Sequence, residues 1–294
     1  MNTVKTPAAA STFRPLKGVR ILSLALNLPG PAALMRCQHM GARCTKLEPL
    51  GGDPMLHYKP EAYAALHHGI RITRADLKTE AGQKVLHRQL ASADVLLTSF
   101  RPSALVKLGL GYKAVHKQYP QLSQVAIVGG PGERAEEPGH DLTYLAEMGL
   151  VTGLELPATL YADMAGSLEA SQAVLQTVIA KAAKGRGSYL EVALSSAAAW
   201  LALPRTWGLT TPCAAVGGGH AGYQIYACKN GRVAVAALEQ HFAARLCLAA
   251  GLPGNTDMAS STTIQLLRSW FLMQTRAKLE KLAVKQDIPL FTML

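Results

Sequence analysis

Val19-Arg20-Ile21-Leu22-Ser23-Leu24 runs into Asn27-Leu28-Pro29-Gly30-Pro31-Ala32-Ala33, and after Gly41 the chain resumes with Cys44-Thr45-Lys46-Leu47. The first run is short and apolar and is broken by Asn27 and Pro29, the pattern of a buried strand. Pro31 suits the first turn of a helix, where its missing N–H would be unpaired anyway. A helix over 32–40, stopped by Gly41, and a strand over 44–47 complete a βαβ unit. Such a unit favours a parallel sheet with crossover helices. Further strands are expected over 95–98 and 124–128. The layout is that of a nucleotide-binding fold. The first turn, Asn27-Leu28-Pro29-Gly30-Pro31, lacks G-x-G-x-x-G, which argues against dinucleotide binding of the Rossmann kind.

Downstream the pattern turns helical, with a long helix over 166–184. Lys181, Lys184 and Arg186 sit at its end, where cations meet the helix dipole favourably, and Gly185 can terminate it. A strand over 189–194 and a helix over 195–207 follow, the latter started by Ser195-Ser196 as caps. Trp200, Leu203 and Trp207 recur at helical spacing and are expected in the core. The stretch over 212–222 is rich in Gly and Ala; its Gly217-Gly218-Gly219-His220 lacks the strand–helix context of a phosphate loop and reads as linker. Next comes a hairpin around Lys229-Asn230-Gly231, since Asn-Gly is a strong turn signal. Helices over 240–250, 262–273 and 275–285 close the chain. The expected organisation is a disordered lead-in over 1–15, a large α/β domain over 16–212, a linker over 213–221 and a small α+β domain over 222–294.

With 294 residues, 49% hydrophobic and 17% charged, the chain can bury a sizeable core. No apolar run reaches the length of a membrane span, and the N-terminal stretch lacks the apolar centre of a secretory signal. The net charge of +11 raises nucleic acid as a partner. Against it, the Lys and Arg residues are dispersed and not interleaved with aromatics; a positive field equally suits a small polyanion. The five cysteines form no C-x-x-C pair, which fits reduced thiols in a cytoplasm. The nine histidines show no ligand spacing, so no metal is expected, and His67-His68 read as surface or loop residues.

Three segments carry chemistry. Gly139-His140-Asp141-Leu142-Thr143-Tyr144 follows a loop rich in Gly, Pro and Glu; Tyr161-Ala162-Asp163-Met164-Ala165-Gly166 places a carboxylate among small residues; Glu239 closes an apolar run. An imidazole titrates near neutrality, and with separated carboxylates it equips a site for proton transfer. A carboxylate can also attack a thioester. The plainer alternative is that His140 and Asp141 cap a helix. Neighbouring helical residues point about 100° apart, so only one of that pair should face a reacting carbon.

Leu16-Lys17-Gly18-Val19-Arg20-Ile21-Leu22, Pro29-Gly30-Pro31-Ala32-Ala33, Met40-Gly41-Ala42-Arg43-Cys44-Thr45-Lys46-Leu47-Glu48-Pro49 and Gly51-Gly52-Asp53-Pro54 occur in that order. Ala75-Asp76-Leu77-Lys78-Thr79-Glu80-Ala81-Gly82, Ala93-Asp94-Val95-Leu96-Leu97, Phe100-Arg101-Pro102, Leu108-Gly109-Leu110-Gly111-Tyr112 and Gly139-His140-Asp141 continue the series. The ordered set resembles the class III CoA-transferase family, which holds formyl-CoA, carnitine and bile-acid CoA-transferases together with α-methylacyl-CoA racemase. The resemblance runs from Leu16 through nearly the whole chain. It implies a Rossmann-like large domain, a small α+β domain, and a homodimer of interlocked chains. Family members continue past the position of Leu294 with a segment that returns to the large domain, so an incomplete ring is expected here. The resemblance also implies an acyl-CoA or CoA thioester as substrate, and no cofactor beyond the coenzyme A that the substrate carries.

Residue by residue, the racemase branch implies His140 and Asp163 as the catalytic pair with Glu239 in support, contributed by either subunit. They would exchange the α-proton of a 2-methylacyl-CoA. The transferase branch implies Asp141 as nucleophile, moving CoA between carboxylic acids through an anhydride. A third reading is a non-catalytic CoA-binding protein. Arg101, Arg71, Glu48 and Pro31 are the implied CoA-binding positions. The chain reads Leu66-His67-His68-Gly69-Ile70-Arg71 where family members often read Leu-Asn-Arg-Asn-Lys-Arg, so His68 and Ile70 replace two cations.

Overall fold

The computed structural model describes residues 13–294, and the lead-in expected over 1–15 lies up to residue 12 outside the described residues. The chain divides into two compact units, one ending at Ala202 and one over Leu203–Leu294.

The first unit is built on β1 (Arg20–Ser23), α1 (Pro29–His39), β2 (Arg43–Glu48), α2 (Pro54–Tyr58), α3 (Pro60–Leu66), β3 (Arg71–Arg74) and α4 (Glu80–Leu90). It continues with β4 (Val95–Thr98), α5 (Pro102–Lys107), α6 (Tyr112–Gln118), β5 (Ser123–Val128), α7 (Asp141–Glu147), α8 (Tyr161–Lys184) and β6 (Tyr189–Ala193), and ends within α9 (Leu194–Thr206). The six strands are all parallel, in the order β3-β2-β1-β4-β5-β6. The βαβ reading of the opening stretch therefore holds. The helix starts at Pro29, earlier than expected, because Pro29 already supplies a fixed φ and needs no N–H partner at the first position.

Strand alternation sorts the core into two layers. Ile21, Val95, Leu97, Val125 and Ile127 face α1 and α8, while Leu22, Leu24 and Leu96 face Leu86, Leu90, Leu105 and Leu110 on the other side. Being covered on both faces, β4 and β5 are buried at every position, as central parallel strands are. The outer strand β3 instead carries Arg71 and Arg74, exposed charges that blunt a sheet edge. Helix α8 packs on α1 and β5 through a small-residue face of Gly166, Ala170, Ala173, Val174 and Thr177. It ends where expected: Gly185 takes φ 69°, the left-handed cap.

Two expectations are corrected. Trp200 and Trp207 are not core residues; they are 67% and 66% exposed. The buried face of α9 is made of Leu194, Ser195, Ala197, Ala198 and Ala202, mostly small residues that allow close packing and leave Trp200 on the opposite side, while Trp207 lies just past the helix. His67 is not a surface histidine but is 6% exposed, enclosed by a charged cluster described below.

The second unit holds an antiparallel sheet ordered β7 (Tyr223–Cys228), β8 (Gly231–Ala236), β9 (Leu290–Met293), with α10 (Gln240–Ala249), α11 (Ser261–Leu272) and α12 (Arg276–Gln286). Its core gathers Tyr226, Val233, Val235, Leu246, Leu267, Phe271 and Leu279. The hairpin forms with Cys228 opposite Gly231, and Gly231, not Asn230, takes the positive φ of 151°. Asn230 is used otherwise: its Oδ1 accepts from the Arg276 N–H at 2.9 Å and starts α12. Strand β9 was not legible in four residues of sequence, since it forms only by pairing with β8, nearly sixty residues away. No helix among the described residues is long and apolar enough to cross a membrane.

Candidate active site

The strand order reverses beside β1, whose neighbours are β2 on one side and β4 on the other. At such a switch point the loops leaving the carboxyl ends of adjacent strands diverge and open a crevice. A cavity of about 790 Å³ lies there, lined by Leu26–Pro29 after β1, Ser99–Arg101 after β4 and Ile127–Gly129 at the end of β5. The loops are tied together at their roots: the Leu24 N–H donates to the Leu97 carbonyl at 2.8 Å, and the Leu26 N–H to Ser99 Oγ at 3.1 Å. Gly30 is needed for this geometry, because a Cβ there would stand 2.1 Å from that of Ala25.

The far wall is α7 with the loop before it. Arg134 grips Glu147 of α7 with two N–H groups at 2.9 Å each and Glu137 at 3.1 Å, fixing the loop to the helix. Glu136 accepts from the Ser103 N–H and hydroxyl at 2.6 and 2.8 Å, which holds the same loop against α5.

His140 occupies the N-cap position of α7 in extended conformation, exposed at the cavity, and Thr143 Oγ1 accepts from its backbone N–H at 3.0 Å. Asp141, one residue on, turns inward and is 4% exposed. The two side chains diverge, as expected. Asp141 is indeed a cap, but of a different helix: its Oδ1 accepts from the Asp163 N–H at 3.0 Å, in the first turn of α8. Leu160, which precedes α8, offers no side-chain cap, so Asp141 satisfies an N–H that would otherwise be unpaired.

Asp163 thus sits within the first turn of α8, half-buried, lining the same cavity as His140 and Asp141. Its pKa is pushed up to about 6, by burial first and by the Asp141 charge second, with His140 opposing the rise. A carboxyl poised there can give and take a proton near neutrality. Arg101 lines the cavity, exposed, with no ion-pair partner within 4 Å among the described residues, and is free to meet an anion. Lys59 and Tyr58 lie on the rim.

The other expected site residues are elsewhere. Pro31 is buried inside α1 and Arg71 is exposed at the start of β3; neither lines the cavity. Glu239 belongs to the second unit, exposed at the N-cap of α10. Glu48 is buried in a cluster behind the first loop. There the Lys46 ammonium, fully enclosed, pairs with Glu48 at 3.3 Å and with Asp53, and lies 2.9 Å from His67 Nε2. Tyr63 donates to Glu48 at 2.8 Å. Glu48, Asp53 and His67 are spaced as metal ligands could be, but the Lys46 ammonium stands among them and supplies the positive charge. Asp53 reaches the cavity indirectly: it accepts from the Asn27 N–H at 3.2 Å and from Met55 N–H at 2.9 Å, holding Asn27 at φ 61°. Lys46, Asp53 and Tyr144 were not singled out from sequence. For Tyr144 the available signal was its place one helical turn from His140.

The sequence model of CoA-transferase family III matches residues 16–293. Cinnamoyl-CoA:phenyllactate CoA-transferase of Clostridium sporogenes is 35% identical over 149 residues, 46% of this chain and 36% of that protein. Alpha-methylacyl-CoA racemase of Mus musculus is 30% identical over 255 residues, 81% of this chain and 65% of that protein. The chain thus spans less than two thirds of either relative's length. A crystal structure of a CAIB/BAIF family protein from Brucella suis matches with TM-score 0.78 at 25% identity, covering 94% of this chain and 83% of that one. Sequence and fold agree: the chain belongs to CoA-transferase family III.

Proposed function

We propose that the protein is an acyl-CoA enzyme that exchanges the α-proton of a 2-methylacyl-CoA between His140 and Asp163. The observation that supports this reading is the pairing of an exposed imidazole with a half-buried carboxyl of pKa about 6 on one cavity. One group removes the C2 proton, the other returns a proton on the opposite face, and the intermediate is an enolate. Arg101, at the mouth, meets the phosphates of coenzyme A. The protein works in the cytoplasm as a homodimer in this reading, with Glu239 supporting the site.

Incubation with a 2-methylacyl-CoA in deuterated water should place deuterium at C2 with no acceptor acid present. Asp163→Asn should lower that exchange about 10²–10⁴-fold. Absence of exchange, with activity appearing only on addition of a free carboxylic acid, would replace this reading by CoA transfer. That second reading is favoured by relatives such as the cinnamoyl-CoA:phenyllactate enzyme. In it we give the nucleophile's role to Asp163 in place of Asp141, whose carboxylate is enclosed and committed to capping α8.

A further inference from the structure

One polar atom on the cavity has no role yet. Tyr144 is 7% exposed, its ring packed into the main core, and it lines the cavity together with His140 and Asp163. Two glycines make room for it. A Cβ at Gly129 would stand 2.5 Å from Tyr144 Oη, and one at Gly139 would stand 2.6 Å from both Oη and Cε1. The ring lies against Gly139 and the hydroxyl ends beside Gly129, at the exit of β5. That hydroxyl has no hydrogen-bond partner among the described residues. The oxygen is not among the fully enclosed unpaired polar atoms, so it opens onto the cavity, where a phenol on a buried ring normally finds a partner. An unpartnered donor on a substrate-sized cavity is a group that waits for an acceptor.

We propose that Tyr144 is a further catalytic residue, its Oη–H donating to the carbonyl oxygen of the bound thioester. The inference rests on the acyl-CoA reading above. When the base takes the C2 proton, the C–H electron pair forms the C1–C2 double bond and the carbonyl π pair moves onto oxygen. The Tyr144 proton stays on Oη and its hydrogen bond strengthens as that oxygen becomes an anion. Reprotonation at C2 reverses the flow, so atoms and electrons balance without another reactant. Burial, and then the charge of Asp163, push the Tyr144 pKa up, which keeps the phenol a neutral donor. A donor in place before the reaction stabilises the developing charge without reorganisation.

Tyr144→Phe keeps the ring against Gly139 and removes only the donor. Its kcat for C2 exchange should fall about 10²-fold or more, with KM within about threefold. The infrared carbonyl band of a bound, 1-¹³C-labelled 2-methylacyl-CoA should move back toward its position in water. An active wild type beside a Tyr144→Phe variant with unchanged kcat and unchanged carbonyl band overturns this assignment and leaves the acyl-CoA reading standing. A wild type that binds no CoA thioester overturns both.

Discussion

At the scale of single residues, two carboxylates twenty-two positions apart divide the work by environment. Asp141 is enclosed and capping, while Asp163 is half-buried and held up to about 6 by burial first and by the Asp141 charge second. Below that pH Asp163 is protonated and can no longer take a proton from C2. The exchange kcat/KM should therefore fall as pH drops through about 6. Asp141→Asn keeps an oxygen that can cap α8 but removes the charge, so the acid limb of the wild-type profile should move to lower pH in the variant. An acid limb at the same pH in both proteins would show that Asp141 does not set the Asp163 titration. His140 and Asp163 were legible as candidates because an imidazole with separated carboxylates equips a site for proton transfer and the family resemblance implied roles for both positions. Tyr144 was not, since only the folded chain shows that Gly129 and Gly139 clear a space for its hydroxyl.

At the scale of elements, the first βα loop is held in place from behind. Asp53 joins the end of the loop before α2 to Asn27, to the N–H of Met55 and to Lys46 on β2. Lys46 and Asp53 are both fully buried, and removing Asp53 leaves Lys46 with Glu48 as its remaining carboxylate and takes the acceptor from the Asn27 and Met55 N–H groups. Asp53→Ala should cost about 3–5 kcal/mol in denaturant unfolding, far above a surface pair. A loss under about 1 kcal/mol would mean that water or Glu48 alone satisfies the ammonium. The strands β1, β4 and β5 were readable from sequence because both faces are covered and each is built around adjacent apolar residues, Ile21-Leu22, Val95-Leu96-Leu97 and Val125-Ala126-Ile127-Val128. The second carboxylate of the buried cluster, Asp53, was equally visible as a residue, but its partners come from β2, α2 and the loop after β1, whose juxtaposition no local pattern encodes.

At the scale of the whole molecule, each unit presents apolar side chains to solvent. On the first, Trp200 and Leu168 line one groove and are 67% and 48% exposed; on the second, Ile225 and Phe291 flank Ala234 across the sheet and are 66% and 72% exposed. Exposed apolar surface of this kind marks association. In light scattering the protein should show at least twice its 31.3 kDa chain mass at working concentration; a strict monomer would remove the dimer from the proposal. Calorimetry should detect binding of coenzyme A, weakened by Arg101→Ala and weakened further by salt, as an interaction with a polyanion requires. Binding unchanged in that variant would take Arg101 out of the site. By itself the sequence determined the parallel sheet, the long helix and its glycine stop, because apolar periodicity and turn residues act over a few neighbours, while its ordered motifs carried the resemblance to the family. Only the tertiary structure decided that Asp141 caps α8, that His67 is enclosed with Lys46, that Trp200 and Trp207 face outward, and that Tyr144 reaches the cavity. Those are contacts between segments brought together by the sheet order, and a side chain's role there is set by which neighbour the fold delivers.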